Sequence, residues 1–367
     1  MNKGTIKPVK SKIMRYCKSY VPFWRKGKIG FYSNFGHGDI GDDAAFFVAQ
    51  KHFGKDVLPF SKRCYAFNPH MLRALLIGGG GALRWESPYI PRRIFAKKKW
   101  PFPVIIFGVG INCDFGKSYT EETKDKIKRL CERADYITVR DTITAHFLKE
   151  LGYHDVQIMP DIDLLLDEEE VSVPQLARKS TIGIVLSPHS AFSGNDFERI
   201  VDSFSDFITQ TITHDTNIIF FPFENAASEE SKEQELIDAI VRKVNDKERV
   251  TILKHATTPQ QTLFAMRHCC NSMICMRMHA AVFAANAGIP FVCISYNMMH
   301  TGFLDMFDAH DCEIRFFDAF SSGKLQEKYA YLISNYDKIR RTIINKRDSL
   351  REVLYRQCNH INALINQ

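Results

Sequence analysis

The stretch Ser272–Gly302, SMICMRMHAAVFAANAGIPFVCISYNMMHTG, decides the fold class. Residues 272 to 276 form a short apolar run, HAAVFAANAG follows with the composition of a tightly packed helix, and a second apolar run covers 290 to 296. Gly288 and Pro290 mark the end of the helix and the start of the next strand. This is the pattern of a parallel strand–helix–strand unit. It places Arg277 and His279 on the turn beyond a strand's carboxyl end, where open α/β sheets hold ligands.

The same rhythm extends in both directions. Towards the N-terminus the strand candidates are KIGFYS (28–33), LRALLI (72–77), PVIIFG (103–108), YITV (136–139) and VQIM (156–159), with helical patterns at Asp42–Phe53, Thr120–Arg133 and Thr142–Leu151. An acidic, proline-containing stretch, LLLDEEEVSVPQLARKS (164–180), interrupts them. Alternation then resumes with TIGIVLS (181–187), TNIIFFPF (216–223), RVTILK (249–254), SMICM (272–276) and PFVCISY (290–296). Such apolar strands joined by helices suit parallel sheets covered on both faces. The expected fold is two Rossmann-like, doubly wound α/β domains facing across a cleft, a GT-B-like arrangement. Its parts are a basic segment at 1–27, an acceptor-side domain at 28–170, a linker at 171–180, a donor-side domain at 181–323 and C-terminal helices at 324–367.

Polar and glycine positions gather at the expected strand ends. GHGDIGDD (36–43) follows the first strand, Gly78 to Gly81 the second, Arg140 and Asp141 the fourth, and Tyr296 and Asn297 the last. Asp42 and Asp43 stand near a helix start, where carboxylates neutralise the positive end; they can meet sugar hydroxyls, act as a base, or cap the helix. Four consecutive glycines imply a close approach to the backbone, by substrate or by the opposing domain. The segment ALRWESPYIPRRIFAKKKWPF (82–102) interleaves Arg92, Arg93 and lysines with Trp85 and other aromatics, a mixture suited to sugar rings, phosphates or lipid headgroups. Asp141 also fits a helix cap with Arg140 as its ion-pair partner.

Composition excludes several classes. The net charge of +7 comes from the head: residues 1–38 carry nine basic side chains and no acidic one, a segment able to rest on an anionic membrane surface or simply to be solvated. No apolar run approaches the ~20 residues of a membrane span, and the first residues lack a signal-peptide core. The ten cysteines show no paired spacing and read as reduced, in a cytoplasmic protein. No P-loop, zinc spacing or nucleic-acid motif occurs, and Asp161-Ile162-Asp163 alone is too common a pattern to mark a metal site.

Taken in order, GDIGDD, GGGG, VRD (139–141), PD (160–161) and R-x-H-x(8)-G-x-P-x(5)-Y at Arg277–Tyr296 resemble the polysaccharide pyruvyl transferases, from about Gly30 to Phe307. The resemblance implies a GT-B-like fold. It also implies transfer of the enolpyruvyl carbons of phosphoenolpyruvate to hydroxyls of a cell-surface glycan or a lipid-linked precursor, with phosphate release and no cofactor. It makes Arg140, Arg277, His279, Tyr296, Asn297 and His300 donor-binding candidates. The chemistry of that donor then makes His279 the expected proton donor to the methylene carbon, Arg277 its catalytic companion, and Asp42 or Asp43 the group that orients or deprotonates the acceptor hydroxyl. Asp42, Gly79, Gly80, Trp85, Arg92 and Arg93 are the acceptor-side candidates. One position departs: the family commonly has lysine three residues after the tyrosine, and this chain has Met299, with His300 or Lys254 as the candidate replacement. Two other readings fit the fold, a glycosyltransferase using a nucleotide sugar and a non-catalytic glycan-binding protein.

Overall fold

A computed structural model describes residues 27–36, 38–60, 72–91, 94–95, 99–174, 180–188, 194–212, 216–224, 232–253, 258–321 and 323–367. Apart from Gly27, the basic N-terminal segment lies outside them, as do Arg92, Arg93 and Lys254.

The first sheet contains β1 (Lys28–Tyr32), β2 (Val57–Phe60), β3 (Leu72–Arg84), β4 (Val104–Asn112), β5 (Tyr136–Val139) and β6 (Gln157–Ile158), in the order β2-β1-β3-β4-β5-β6. All its pairings are parallel. Helices α1 (Ile40–Phe53), α2 (Glu121–Cys131) and α3 (Thr142–Glu150) connect the strands. The second sheet holds β7 (Ser180–Val185), β8 (Thr216–Phe220), β9 (Val250–Ile252), β10 (Ser272–Cys275), β11 (Phe291–Ser295) and β12 (Glu313–Arg315), in the order β12-β11-β10-β7-β8-β9, again parallel throughout. Its helices are α4 (Gly194–Thr211), α5 (Lys232–Lys243), α6 (Pro259–Cys269), α7 (Met278–Ala287) and α8 (Met298–Phe307). Strand order reverses between β1 and β3 in one sheet and between β7 and β10 in the other, and crevices open at such points.

Three sequence expectations change. β2 and β12 are additional edge strands, too short to show a pattern. The glycine run does not follow a strand but lies inside β3, which continues to Arg84 with a register irregularity between Gly80 and Leu83. Gly79, at φ 81°, has a backbone that a side chain rarely adopts, and a Cβ there would come within 2.8 Å of Ala45 on α1.

The C-terminal segment forms α9 (Phe316–Ala319), α10 (Lys324–Ser334) and α11 (Tyr336–Ile365), and α11 crosses back to the first domain. Its buried stripe is Ile339, Ile343, Leu350, Leu354, Cys358, Ile361 and Ile365. Gln357 accepts a hydrogen bond from Tyr136 at 2.8 Å, and Arg351 donates to the Leu164 carbonyl at 2.8 Å. Helix α7 packs on the 3-10 turn Ile162–Leu165, where Asn286 donates to the Asp163 carbonyl at 2.8 Å. The small side chains of α7 permit this approach, and one apolar core runs across both domains.

No helix of the described residues is long and apolar enough to cross a membrane. The described cysteines are free and mostly buried.

Candidate active site

The loop after β1 enters α1 through Asp39, whose side chain accepts from the amides of Gly41 at 2.9 Å and Asp42 at 3.2 Å. The cap expected from Asp42 or Asp43 is therefore supplied by Asp39, because the helix begins at Ile40. This frees the later pair. Asp43 Oδ1 accepts from the Gly36 amide at 2.7 Å and so holds the loop; burial pushes its carboxyl up to about 7. Asp42 accepts from Asn34 Nδ2, and its Oδ1 faces Gly80. Burial, reinforced by the Asp39 charge, raises the Asp42 carboxyl above its ordinary value.

Across the cleft, β10 delivers Arg277 to the start of α7. Its Nη1 meets Asp39 Oδ2 at 2.5 Å, Nη2 meets Glu224 Oε1 at 2.8 Å, and Nε donates to the Leu186 carbonyl at 3.1 Å and lies 3.6 Å from Glu233 Oε1. Burial alone would lower its pKa; the Asp39, Glu233 and Glu224 carboxylates outweigh that and keep it protonated. The backbone closes the same seam, with Ile40 N donating to the Phe223 carbonyl at 2.9 Å. His279, the second residue of α7, lies directly against α1: a Cβ on Gly41 would overlap its ring. Ligand-capable atoms of Asp39, Asp42 and His279 lie within 4.8 Å of one another.

The remaining donor-side candidates divide. Tyr296 lies beside this cluster, its hydroxyl 3.4 Å from Ser187 Oγ. Asn297 caps α8, accepting from Met299 N at 3.1 Å and meeting His300 Nδ1 at 2.9 Å. His300 is fully buried, with Nε2 on the Met276 carbonyl at 3.2 Å. His300 ties α8 to the end of β10, while Asn297 also reaches the first domain, its Nδ2 donating to Asn112 Oδ1 at 3.4 Å. Met299 packs across the seam: a Cβ on Gly81 would lie 2.6 Å from its sulfur.

Arg140 lies apart from this cluster, and its buried Nη2 has no hydrogen-bond partner. It is buried, 3.4 Å from Asp161 and 3.8 Å from Asp141, beside a small cavity walled by Leu164, Met278, Phe303 and Phe307. Asp141 caps α3 by accepting from Thr144 N at 2.6 Å. For both guanidiniums the reason is the same: nearby buried carboxylates need a counter-charge.

At the β1/β3 reversal a shallow pocket is lined by Ser33, Asn34, Asp42, Gly78 to Gly81, Arg84 and Tyr89. Gly79 and Gly80 thus reach the expected acceptor side. Trp85 is half-buried nearby, with Lys117 Nζ 5.5 Å from its ring centre. Sequence reasoning missed Asp39, Asn34, Arg84 and Glu233. Only Asp39 carried a signal, an aspartate immediately before the first apolar helical residue.

Two parallel α/β domains whose strand-order reversals face each other define a GT-B-like protein. The structure of S. aureus MnaA with UDP shares this fold at a TM-score of 0.58 and 10% identity, over 93% of this chain and 97% of that one. Weaker likenesses are the wall teichoic acid polymerase TagF (TM-score 0.47, 11% identity, 92% and 88% of the two chains) and the Gap123 glycosylation-associated complex of Streptococcus agalactiae (0.47, 13%, 78% and 53%). This chain thus spans about half of the streptococcal chain. No curated protein matches the sequence. The family model for polysaccharide pyruvyl transferase matches residues 12–298, and the chain belongs to that enzyme family.

Proposed function

We propose that the protein transfers the pyruvyl carbons of phosphoenolpyruvate to hydroxyls of a glycan or its lipid-linked precursor. The observation that carries this reading is His279 of the second domain facing Asp42 of the first, beside the glycine-lined pocket. Addition to the enol ether needs a proton at the methylene carbon and a base for the acceptor hydroxyl. His279 supplies the first, and Asp42, open to the pocket through Oδ1, receives the second. The acceptor oxygen bonds to the central carbon as the methylene carbon gains its proton. A second hydroxyl then replaces phosphate at that carbon and closes the ketal.

Arg277 and Arg140 are held by carboxylates, so the donor's charges fall to groups more open to the cleft. Arg84 at the pocket mouth and Lys117 over Trp85 are those groups. Arg277 acts through Asp39, setting where α1 presents Asp42.

The test is incubation of the full chain with phosphoenolpyruvate and a glycan panel, reading phosphate release and ketal formation. His279→Ala should lose roughly 10²- to 10⁴-fold in rate while thermal stabilisation by phosphoenolpyruvate persists. Stabilisation by nucleotide sugars and none by phosphoenolpyruvate would instead support a glycosyltransferase.

A further inference from the structure

We infer that Asn34 is the positioning residue for the acceptor base: it holds one oxygen of Asp42 and leaves the other, Oδ1, turned to the pocket. The inference rests on the pyruvyl-transfer reading in making Asp42 that base.

Among the described residues Asn34 is the one side chain that donates a hydrogen bond to Asp42, its Nδ2 meeting Oδ2. Both residues line the pocket beside the glycine run. Oδ1 is the oxygen that faces Gly80, 3.9 Å from where a Cβ would stand. The missing side chain keeps open the direction from which a hydroxyl approaches.

The loop after β1 is built to hold Asn34 in place. Phe35 is buried, its ring centre 4.3 Å from that of Phe46 on α1, and its amide donates to Ser33 Oγ at 3.2 Å. The Gly36 amide donates to Asp43 Oδ1 at 2.7 Å, so α1 grips the loop two residues beyond Asn34. With the backbone fixed on both sides, the amide reaches Asp42 at little further cost in ordering.

An ionised carboxylate only accepts hydrogen bonds, so Asn34 must present its nitrogen, and this sets which way the amide points. The charged groups facing Asp42 are Asp39 before α1, Asp43 beside it, Asp163 of the 3-10 turn, His279 of α7 and Arg84 at the end of β3. Burial first, then the Asp39 charge, favours a protonated Asp42, which cannot take a proton from a hydroxyl. His279, Asn34 and Arg84 oppose this, and of the three Asn34 makes the hydrogen bond.

Full-length wild type and Asn34→Ala should be compared in two ways. With aspartate carboxyls labelled by ¹³C, the Asp42 resonance, assigned by its loss in Asp42→Asn, should titrate about one pH unit higher in Asn34→Ala. In turnover of phosphoenolpyruvate with a glycan acceptor, the acid limb of the kcat/KM profile should rise by the same amount while the alkaline limb stays in place. A merely structural defect would lower the profile by one factor at every pH. An unmoved Asp42 midpoint, or a limb that does not follow it, overturns the inference. If Asn34→Ala does not fold, Asn34→Leu, which fills the space and donates nothing, takes its place. Absence of turnover by wild type defeats the pyruvyl-transfer reading instead, and the carboxyl titration still decides whether Asn34 holds Asp42.

Discussion

Arg277 Nη1 and Asp39 Oδ2 lie 2.5 Å apart although 238 residues separate them in the chain. Through this contact the strand-order reversal of the second sheet grips the first helix of the first domain. Glu224 and Glu233 hold the rest of the guanidinium, so at this seam one cation meets three acidic partners.

Removing that cation leaves carboxylates buried without a counter-charge. Arg277→Met should lower stability by about 3 kcal/mol, read as a shift of the urea midpoint at constant slope. Arg277→Lys should recover only part, since an ammonium lacks the planar fork that reaches several acids. An unchanged midpoint in Arg277→Met would show that the domains do not rely on this contact.

Glu233 gives the seam a pH dependence. It is fully buried, accepts from the amides of Phe223 at 3.0 Å and Glu224 at 2.6 Å, and is raised by burial from 4.5 to about 7. A carboxyl raised on folding binds its proton more tightly in the native state. Its stability contribution is full below the unfolded value and disappears as pH rises through the folded one. Wild type should therefore lose stability relative to Glu233→Gln between about 4.5 and about 7. The slope should be at most about 1.4 kcal/mol per pH unit. Parallel stability profiles for the two proteins would contradict the assignment.

Gly41 on α1 lies against the His279 side chain of α7. An added Cβ would overlap the His279 ring and force the helices apart. Gly41→Ala should reduce kcat/KM by roughly 100-fold while secondary structure by circular dichroism stays native. Activity near wild type would mean that the imidazole need not sit against α1.

Gly81 and Met299 should be coupled. A Cβ on Gly81 would lie 2.6 Å from the Met299 sulfur and 3.1 Å from Asn112 Nδ2. Gly81→Ala should cost about 1–3 kcal/mol, and adding Met299→Ala should restore part of it. A double-mutant cycle with no coupling energy would place Met299 away from the glycine run.

Much of the architecture was legible because short apolar strands and amphipathic helices repeat with their own periods. Edge strands β2 and β12 were not, being three or four residues long, one of them containing Pro59. The glycine run read as a break, since glycine marks turns in sequence, yet the parallel ladder carries it inside β3. At the site, Arg277 and His279 stood out as polar residues on a strand-to-helix turn, and so did Asp42. Glu233 gave no such sign from within an amphipathic helix.

By itself, the sequence determined the two parallel domains, the family and the placing of polar residues at strand ends. These follow from local periodicity and from motif order along the chain. Tertiary structure alone decided that Arg277 and Arg140 answer buried carboxylates, that His300 lies in the core, and that Asp39 joins Asp42 and His279. Such pairings form between residues far apart in the chain. Whether a cation meets a carboxylate of its own fold or a ligand depends on where the chain path brings the acids, which no local pattern encodes.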